Sequence, residues 1–161
     1  IAPGELYTSL ERGTIDAVEW VGPANDVKMG FQKIAPFYYT GWHEPGAALH
    51  IFVNKDVYEA LPPDLQAIIT ISAKEASFDM LSESFFRNAI EWEKMKQKTD
   101  IQIRTFPKEV LDAFKQANNE LLIEAAGKSP HAREVIESQQ SFLKKAQDWS
   151  KITEQDYLNL R

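Results

Sequence analysis

The chain contains no cysteine, which excludes a disulfide framework, a thiolate metal centre and a cysteine nucleophile, and is compatible with any compartment. No apolar run approaches the roughly 20 residues of a transmembrane span, and no signal-peptide pattern is visible. Basic residues number 18 against 24 acidic ones, for a net charge of −6. They are scattered, so phosphate neutralisation, and with it nucleic acid as a partner, has no support. There is no glycine-rich phosphate loop, no His-Glu-x-x-His, no Gly-x-Ser-x-Gly and no calcium-loop pattern. Internal repeats and low-complexity linkers are also missing. The first residue is Ile1 rather than an initiating Met, which reads as a processed protein or a piece of a longer one.

What is present is a chain of 161 residues with 43% hydrophobic content, one domain by the usual length prior and large enough to bury a core. Its most informative stretch runs from Glu11 to Asp26. Leu6, Tyr7 and Leu10 share one helical face, and Gly13 supplies a left-handed stop. Residues 14–21 then read as a short strand with Ile15, Ala17 and Val18 apolar enough for burial on both faces, closed by Gly22 and Pro23. Glu19 and Trp20 therefore fall at the carboxyl edge of a sheet, where open α/β folds place ligands. A carboxylate there can hold a cation, the Trp carbonyl is a further oxygen ligand, and the indole is a flat wall. The plainer alternative is a surface acid beside a core aromatic.

Residues 36–40 are aromatic and strand-like. A second unusual stretch follows, Gly41-Trp-His-Glu-Pro-Gly46, in which two glycines and a proline enclose Trp42, His43 and Glu44. That is a constrained loop, suited either to lining a pocket or to a structural turn. Residues 47–53 form the strongest strand pattern, with His50 its one polar interruption. Asn54 caps a short helix up to Pro62. From Pro63 the pattern is one helix of about 35 residues, ~50 Å at helical rise. It carries an apolar stripe including Leu65, Ile68, Met80, Phe85, Trp92 and Met95, with Glu75, Asp79, Glu83, Arg87 and Glu91 opposite. Residues 101–105 alternate as a half-buried edge strand. Pro107 opens a helix stopped at Gly127, Ser129 and Pro130 open another, and residues 153–160 make a short terminal helix.

In order, Glu5-Leu-Tyr, Leu10-Glu-Arg-Gly-Thr-Ile-Asp-Ala-Val-Glu-Trp-Val-Gly-Pro, Pro36-Phe-Tyr-Tyr, Gly41-Trp-His-Glu-Pro-Gly and Asn54-Lys resemble the carboxyl-terminal half of a solute-binding protein of tripartite ATP-independent periplasmic (TRAP) transporters. The similarity covers essentially the whole chain and is greatest to the branch associated with 2-oxo acids and described as mannitol or chloroaromatic. The resemblance implies an α/β, periplasmic-binding-protein-like (type II-like) lobe with a mixed sheet and long carboxyl-terminal helices. Residues 1–61 would hold the site strands and loops, 63–98 a bridging helix, and 101–161 a strand and the terminal helices.

It further implies a periplasmic receptor, not an enzyme, that closes on a small organic carboxylate, a 2-oxo or 2-hydroxy acid, and delivers it to a membrane permease. Glu19, the Trp20 carbonyl and Glu44 would be metal ligands, with sodium or calcium as the ion and no organic cofactor. Trp42 and His43 would line the same pocket. An amino-terminal lobe, with the arginine that pairs the ligand carboxylate, would be a further partner. None of Arg12, Arg87, Arg104, Arg133 and Arg161 lies in either site stretch. Two other functions remain open on the residues alone, an enzyme using Glu19 and Glu44 as an acid/base pair and a helical interaction domain docking through the stripe of the long helix. That stripe, left without a covering lobe, also predicts a homo-oligomer.

Overall fold

The computed structural model describes residues 1–42, 49–98 and 100–160. These form two compact units, residues 1–106 and 107–161, where the length prior predicts one domain. In the first unit, a 3-10 turn at Pro3–Glu5 leads into helix α1 (Leu6–Glu11), and Gly13 follows at a φ of 69°. Helix α2 spans Pro23–Met29 and ends at Gly30, whose φ of 87° only glycine adopts freely. Strand β1 (Phe37–Thr40), helix α3 (Lys55–Glu59), helix α4 (Pro63–Lys96) and strand β2 (Gln102–Thr105) complete it.

Strands β1 and β2 pair in parallel, with Phe37 opposite Gln102 and Tyr39 opposite Arg104. A parallel pair needs a crossover, and α4 provides it. Helix α4 has 34 residues, ~50 Å of helix. Its carboxyl end is the centre of packing: Met95 is 1% exposed, and Phe31 and Ile101 are also buried. Tyr7 stacks on Phe31 at 6.5 Å, and the Tyr38 and Trp92 rings meet at 6.1 Å.

Two expected strands are not formed. Residues 15–20 lie outside any helix or strand, with Ala17 and Glu19 exposed and Ile15, Val18 and Trp20 half-buried. The physical reason is pairing. A strand exists only against a neighbour, and the main-chain groups of residues 16–20 make no hydrogen bond to any described residue. Of the 47–53 strand, residues 49–53 are described and likewise unpaired, with Phe52 91% exposed; residues 47 and 48 lie outside the described set. The open edge of β1 is complementary to this. Pro36 O accepts from Gln102 N and Thr40 O accepts from Phe106 N, so the two-residue alternation turns the N–H and C=O of Phe37 and Tyr39 away from β2.

The long helix also departs from expectation. Its apolar residues are not confined to the expected stripe: Ile71, Phe78 and Phe86 lie outside that set and, like Leu81 and Phe85 within it, are exposed. Of the charge ladder, Glu83 and Arg87 form an ion pair at 2.5 Å, while Glu91 pairs with Lys94 instead. Residues 102–105 are exposed throughout rather than half-buried. Local signals performed as read elsewhere. Asn54 accepts from Val57 N, and the Tyr58 hydroxyl beyond it donates to Gln66 O at the start of α4.

The second unit is a helical hairpin, α5 (Lys108–Gly127) and α6 (Pro130–Ser150), with Ser129 accepting from Ala132 N at the turn. A π-helical turn at Lys151–Gln155 leads to α7 (Asp156–Asn159).

Gly22, Pro23 and Asn88 explain how α2 docks on α4. Pro23 has no N–H to satisfy, Asn25 and Asp26 donate to Gly22 O, and the remaining Ala24 N–H donates to Asn88 Oδ1 of α4 at 3.0 Å. Gly22 has no side chain with which to cap, so α4 caps α2 across the packing contact. Replacing Asn88 with Ala is expected to cost about 1 kcal/mol by loss of this cap, whereas Glu83→Ala on the exposed ion pair should stay within about 0.5 kcal/mol. Equilibrium urea unfolding of both variants checks the ranking.

Candidate functional site

The unpaired segment and β1 flank an open cavity of about 610 Å³, lined by residues 15–22 and 34–39, with Trp42, Met95 and Ile101 also in its wall. Of the residues singled out in the sequence, it brings Glu19, Trp20 and Trp42 together. His43 and Glu44 lie outside the described residues. Glu19 is exposed and makes no hydrogen bond or ion pair with a described residue. It reaches the cavity from an unpaired segment, not from the end of a sheet strand.

The cavity is held by a residue that sequence reasoning passed over. Asp26 Oδ1 accepts from Val21 N at 3.3 Å and Gly22 N at 3.2 Å, and its Oδ2 accepts from the Tyr38 hydroxyl at 2.8 Å. One carboxylate thus joins the 17–22 segment, the first turn of α2 and β1. Its main-chain N–H also donates to Gly22 O, so Asp26 and Gly22 bond reciprocally, much as in a capping box. An acid four residues after a Gly-Pro helix start was the available signal, consistent with negative charge near a helix amino end. Gln32 is a second omission. Its Nε2 donates to Val27 O at 3.2 Å, while its Oε1 is buried in the cavity wall without a partner among the described residues.

An arginine also comes nearer than its sequence position suggests. The Arg104 guanidinium lies 4.4 Å from the centroid of the Phe37 ring, a cavity-lining side chain, and donates to Gln102 Oε1 at 2.8 Å. Strand register brings it there, since Arg104 pairs with Tyr39 across 65 positions of sequence.

Glu19 and the Trp20 carbonyl are both oxygen donors, a set that suits a hard cation such as sodium or calcium and not a thiolate- or imidazole-seeking metal. No group of three or more His, Cys, Asp or Glu with metal-site spacing occurs among the described residues. The two donors therefore fit part of a shell that a bound anion would complete.

The architecture is that of a periplasmic-binding-protein lobe. Residues 1–128 match the family described as bacterial extracellular solute-binding protein, family 7 (DctP), and the chain belongs to it. That family serves transport and is not a class of enzymes. The chain is 33% identical over 159 residues to a monocarboxylate 2-oxoacid-binding periplasmic protein of Nostoc sp., covering 97% of this chain and 43% of the relative. It also superposes with a TM-score of 0.91 and 44% identity on a TRAP periplasmic solute-binding protein from Pseudoalteromonas atlantica with bound sodium and pyruvate, covering 99% of this chain and 49% of that one. A TRAP transporter solute-binding protein from Bordetella bronchiseptica, a mixed-occupancy dimer with calcium and picolinate in one site and the other site apo, gives 0.90 and 37%, covering 99% and 48%. The chain thus spans about half the length of these relatives. No helix among the described residues is long and apolar enough to cross a membrane.

The Asp26–Tyr38 bond carries a pH signature. Burial pushes the Tyr38 phenol well above its ordinary value near 10, and the hydrogen bond to Asp26 and its negative charge push the same way. The folded state holds this proton more tightly than the unfolded chain does. The associated stability is therefore fully present below about pH 10 and is lost as pH rises beyond it. Unfolding free energy should fall more steeply above pH 10 in the wild type than in Tyr38→Phe; parallel pH curves would contradict the assignment.

Proposed function

We propose that this chain is the carboxyl-terminal portion, residues 1–161, of a two-lobed periplasmic receptor that binds a small 2-oxo or 2-hydroxy carboxylate together with sodium or calcium and delivers it to a TRAP membrane permease. The observation that carries this reading is the cavity in which Glu19, Trp20 and Trp42 converge, in a chain 44% identical to a protein with bound sodium and pyruvate. Glu19 and the Trp20 carbonyl hold the cation, and Trp42 forms a wall against the ligand. Glu44 as a third metal ligand and His43 as a lining residue belong to the same proposal. The bound cation supplies positive charge between the Glu19 carboxylate and the ligand carboxylate, which would otherwise repel in a partly desolvated site.

The two-lobed reading is supported by what lies uncovered. Among the described residues, the main-chain groups of residues 16–20 and the outward-turned groups of Phe37 and Tyr39 on β1 have no hydrogen-bond partner, and native folds protect such open edges. The apolar surface of residues 49–53 and of α4 from Leu65 to Phe86 is exposed, more than a monomer ordinarily leaves in contact with water. The remainder of the protein covers both. Without it, the isolated 161-residue chain is expected to self-associate, and sedimentation showing a monomer at high concentration would count against this.

Calorimetry with pyruvate, with and without sodium or calcium, tests the binding reading. The full-length protein should bind only with the cation present and lose binding in Glu19→Ala, while the isolated chain should bind weakly or not at all. Micromolar binding by the isolated chain without added cation would overturn the mechanism.

A further inference from the structure

We propose that Asp26 is a positioning residue for the cation site, acting through the Trp20–Val21 peptide. The inference rests on the reading that Glu19 and the Trp20 carbonyl hold the ion. The carbonyl of Trp20 and the N–H of Val21 belong to one peptide group, which is planar and, as no cis bond occurs among the described residues, trans. Its N–H donates to Asp26 Oδ1 at 3.3 Å, and in a trans peptide the C=O points the opposite way. Fixing the N–H on Asp26 therefore fixes the direction of the carbonyl, which is turned away from the carboxylate. The neighbouring Gly22 N–H on the same oxygen, at 3.2 Å, pins the next peptide and prevents the first from rotating alone.

Asp26 does not act as a direct ion ligand in this arrangement. Its Oδ1 takes two main-chain donors and its Oδ2 the Tyr38 hydroxyl. The carboxylate is held from the far side as well, because Tyr38 is half-buried against the Trp92 ring of α4. Charge adds to geometry. A carboxylate accepting from one end of a peptide draws its N–H toward itself and raises the electron density on the carbonyl oxygen at the other end, by the polarisation that couples hydrogen bonds in series. The Trp20 oxygen thereby becomes a better donor to a hard cation. Outer hydrogen-bond partners that orient a metal's ligands typically contribute about 10- to 100-fold to its affinity.

The test uses the full-length protein, with calcium affinity measured calorimetrically at saturating pyruvate and terbium luminescence sensitised by the indole as an independent signature of ion placement. Asp26→Ala should weaken calcium about 10- to 100-fold and dim the terbium signal. Asp26→Asn, which retains an acceptor for Val21 and Gly22 but not the charge, should recover part of the loss. Thermal unfolding of each variant with and without ion separates the site from the scaffold. If both Asp26 variants bind calcium as the wild type does while Glu19→Gln does not, Asp26 merely braces the fold and the inference fails with the binding reading intact. If Glu19→Gln also binds normally, the binding reading itself fails. Should Asp26→Ala not fold, Asp26→Asn and Tyr38→Phe decide the matter: unchanged calcium affinity and terbium signal in both overturns the inference.

Discussion

Three hydrogen bonds to one carboxylate organise the first unit. Asp26 ties the peptide groups after Trp20 to the amino end of α2 and to a β1 tyrosine, and Asn88 ties the same helix end to α4. An acid accepting three donors in a half-buried setting is electrostatically strong, since each bond is charge-assisted. Removing the acceptor takes the Asp26 bond from three donors at once. Residues 17–22 have no ladder to hold them; among the described residues their main-chain anchors are the bonds from Val21 N and Gly22 N to the Asp26 carboxylate and those that Gly22 O accepts from Asn25 N and Asp26 N.

That anchoring explains why a segment without regular structure forms a defined cavity wall. The floor is built where the buried Met95, Phe31 and Ile101 line the cavity near the carboxyl end of α4. The rim is aromatic, with Tyr39 stacked on Phe106 at 4.8 Å and Arg104 over Phe37. A site of this kind has few polar groups, each with its direction set by the scaffold, which is the usual design of small-molecule pockets. The distribution of burial along α4 carries the same message. Its carboxyl end is packed and its amino two-thirds bare, so one helix serves a core at one end and leaves apolar surface exposed at the other.

Membership of a transport-receptor family and the geometry of the cavity bear on function from different sides. The family supplies the class, and the cavity supplies candidate groups with particular chemistry: the Glu19 carboxylate, the Trp20 carbonyl and the indoles of Trp20 and Trp42. An acid/base enzyme would need Glu19 to work with Glu44, which lies outside the described residues, and no observation on Glu19 favours that chemistry.

Helix boundaries were legible in the sequence because their causes are local. Gly13 takes left-handed backbone, Pro63 and Pro130 fit a first turn, and Asn54 and Ser129 reach a main-chain N–H three residues on. Glu19, Trp20 and Trp42 were legible as candidates because unusual side chains beside turn residues are visible without coordinates. The strands expected at 36–40 and 101–105 form, but those expected at 15–20 and 49–53 have no partner among the described residues, because pairing joins positions about 65 apart and apolar character alone does not supply a neighbour. The Asp26–Tyr38 bond and the approach of Arg104 to Phe37 were decided by tertiary structure alone. Hydrogen bonds and ring contacts between distant segments depend on register and helix docking, and no spacing rule along the chain encodes either.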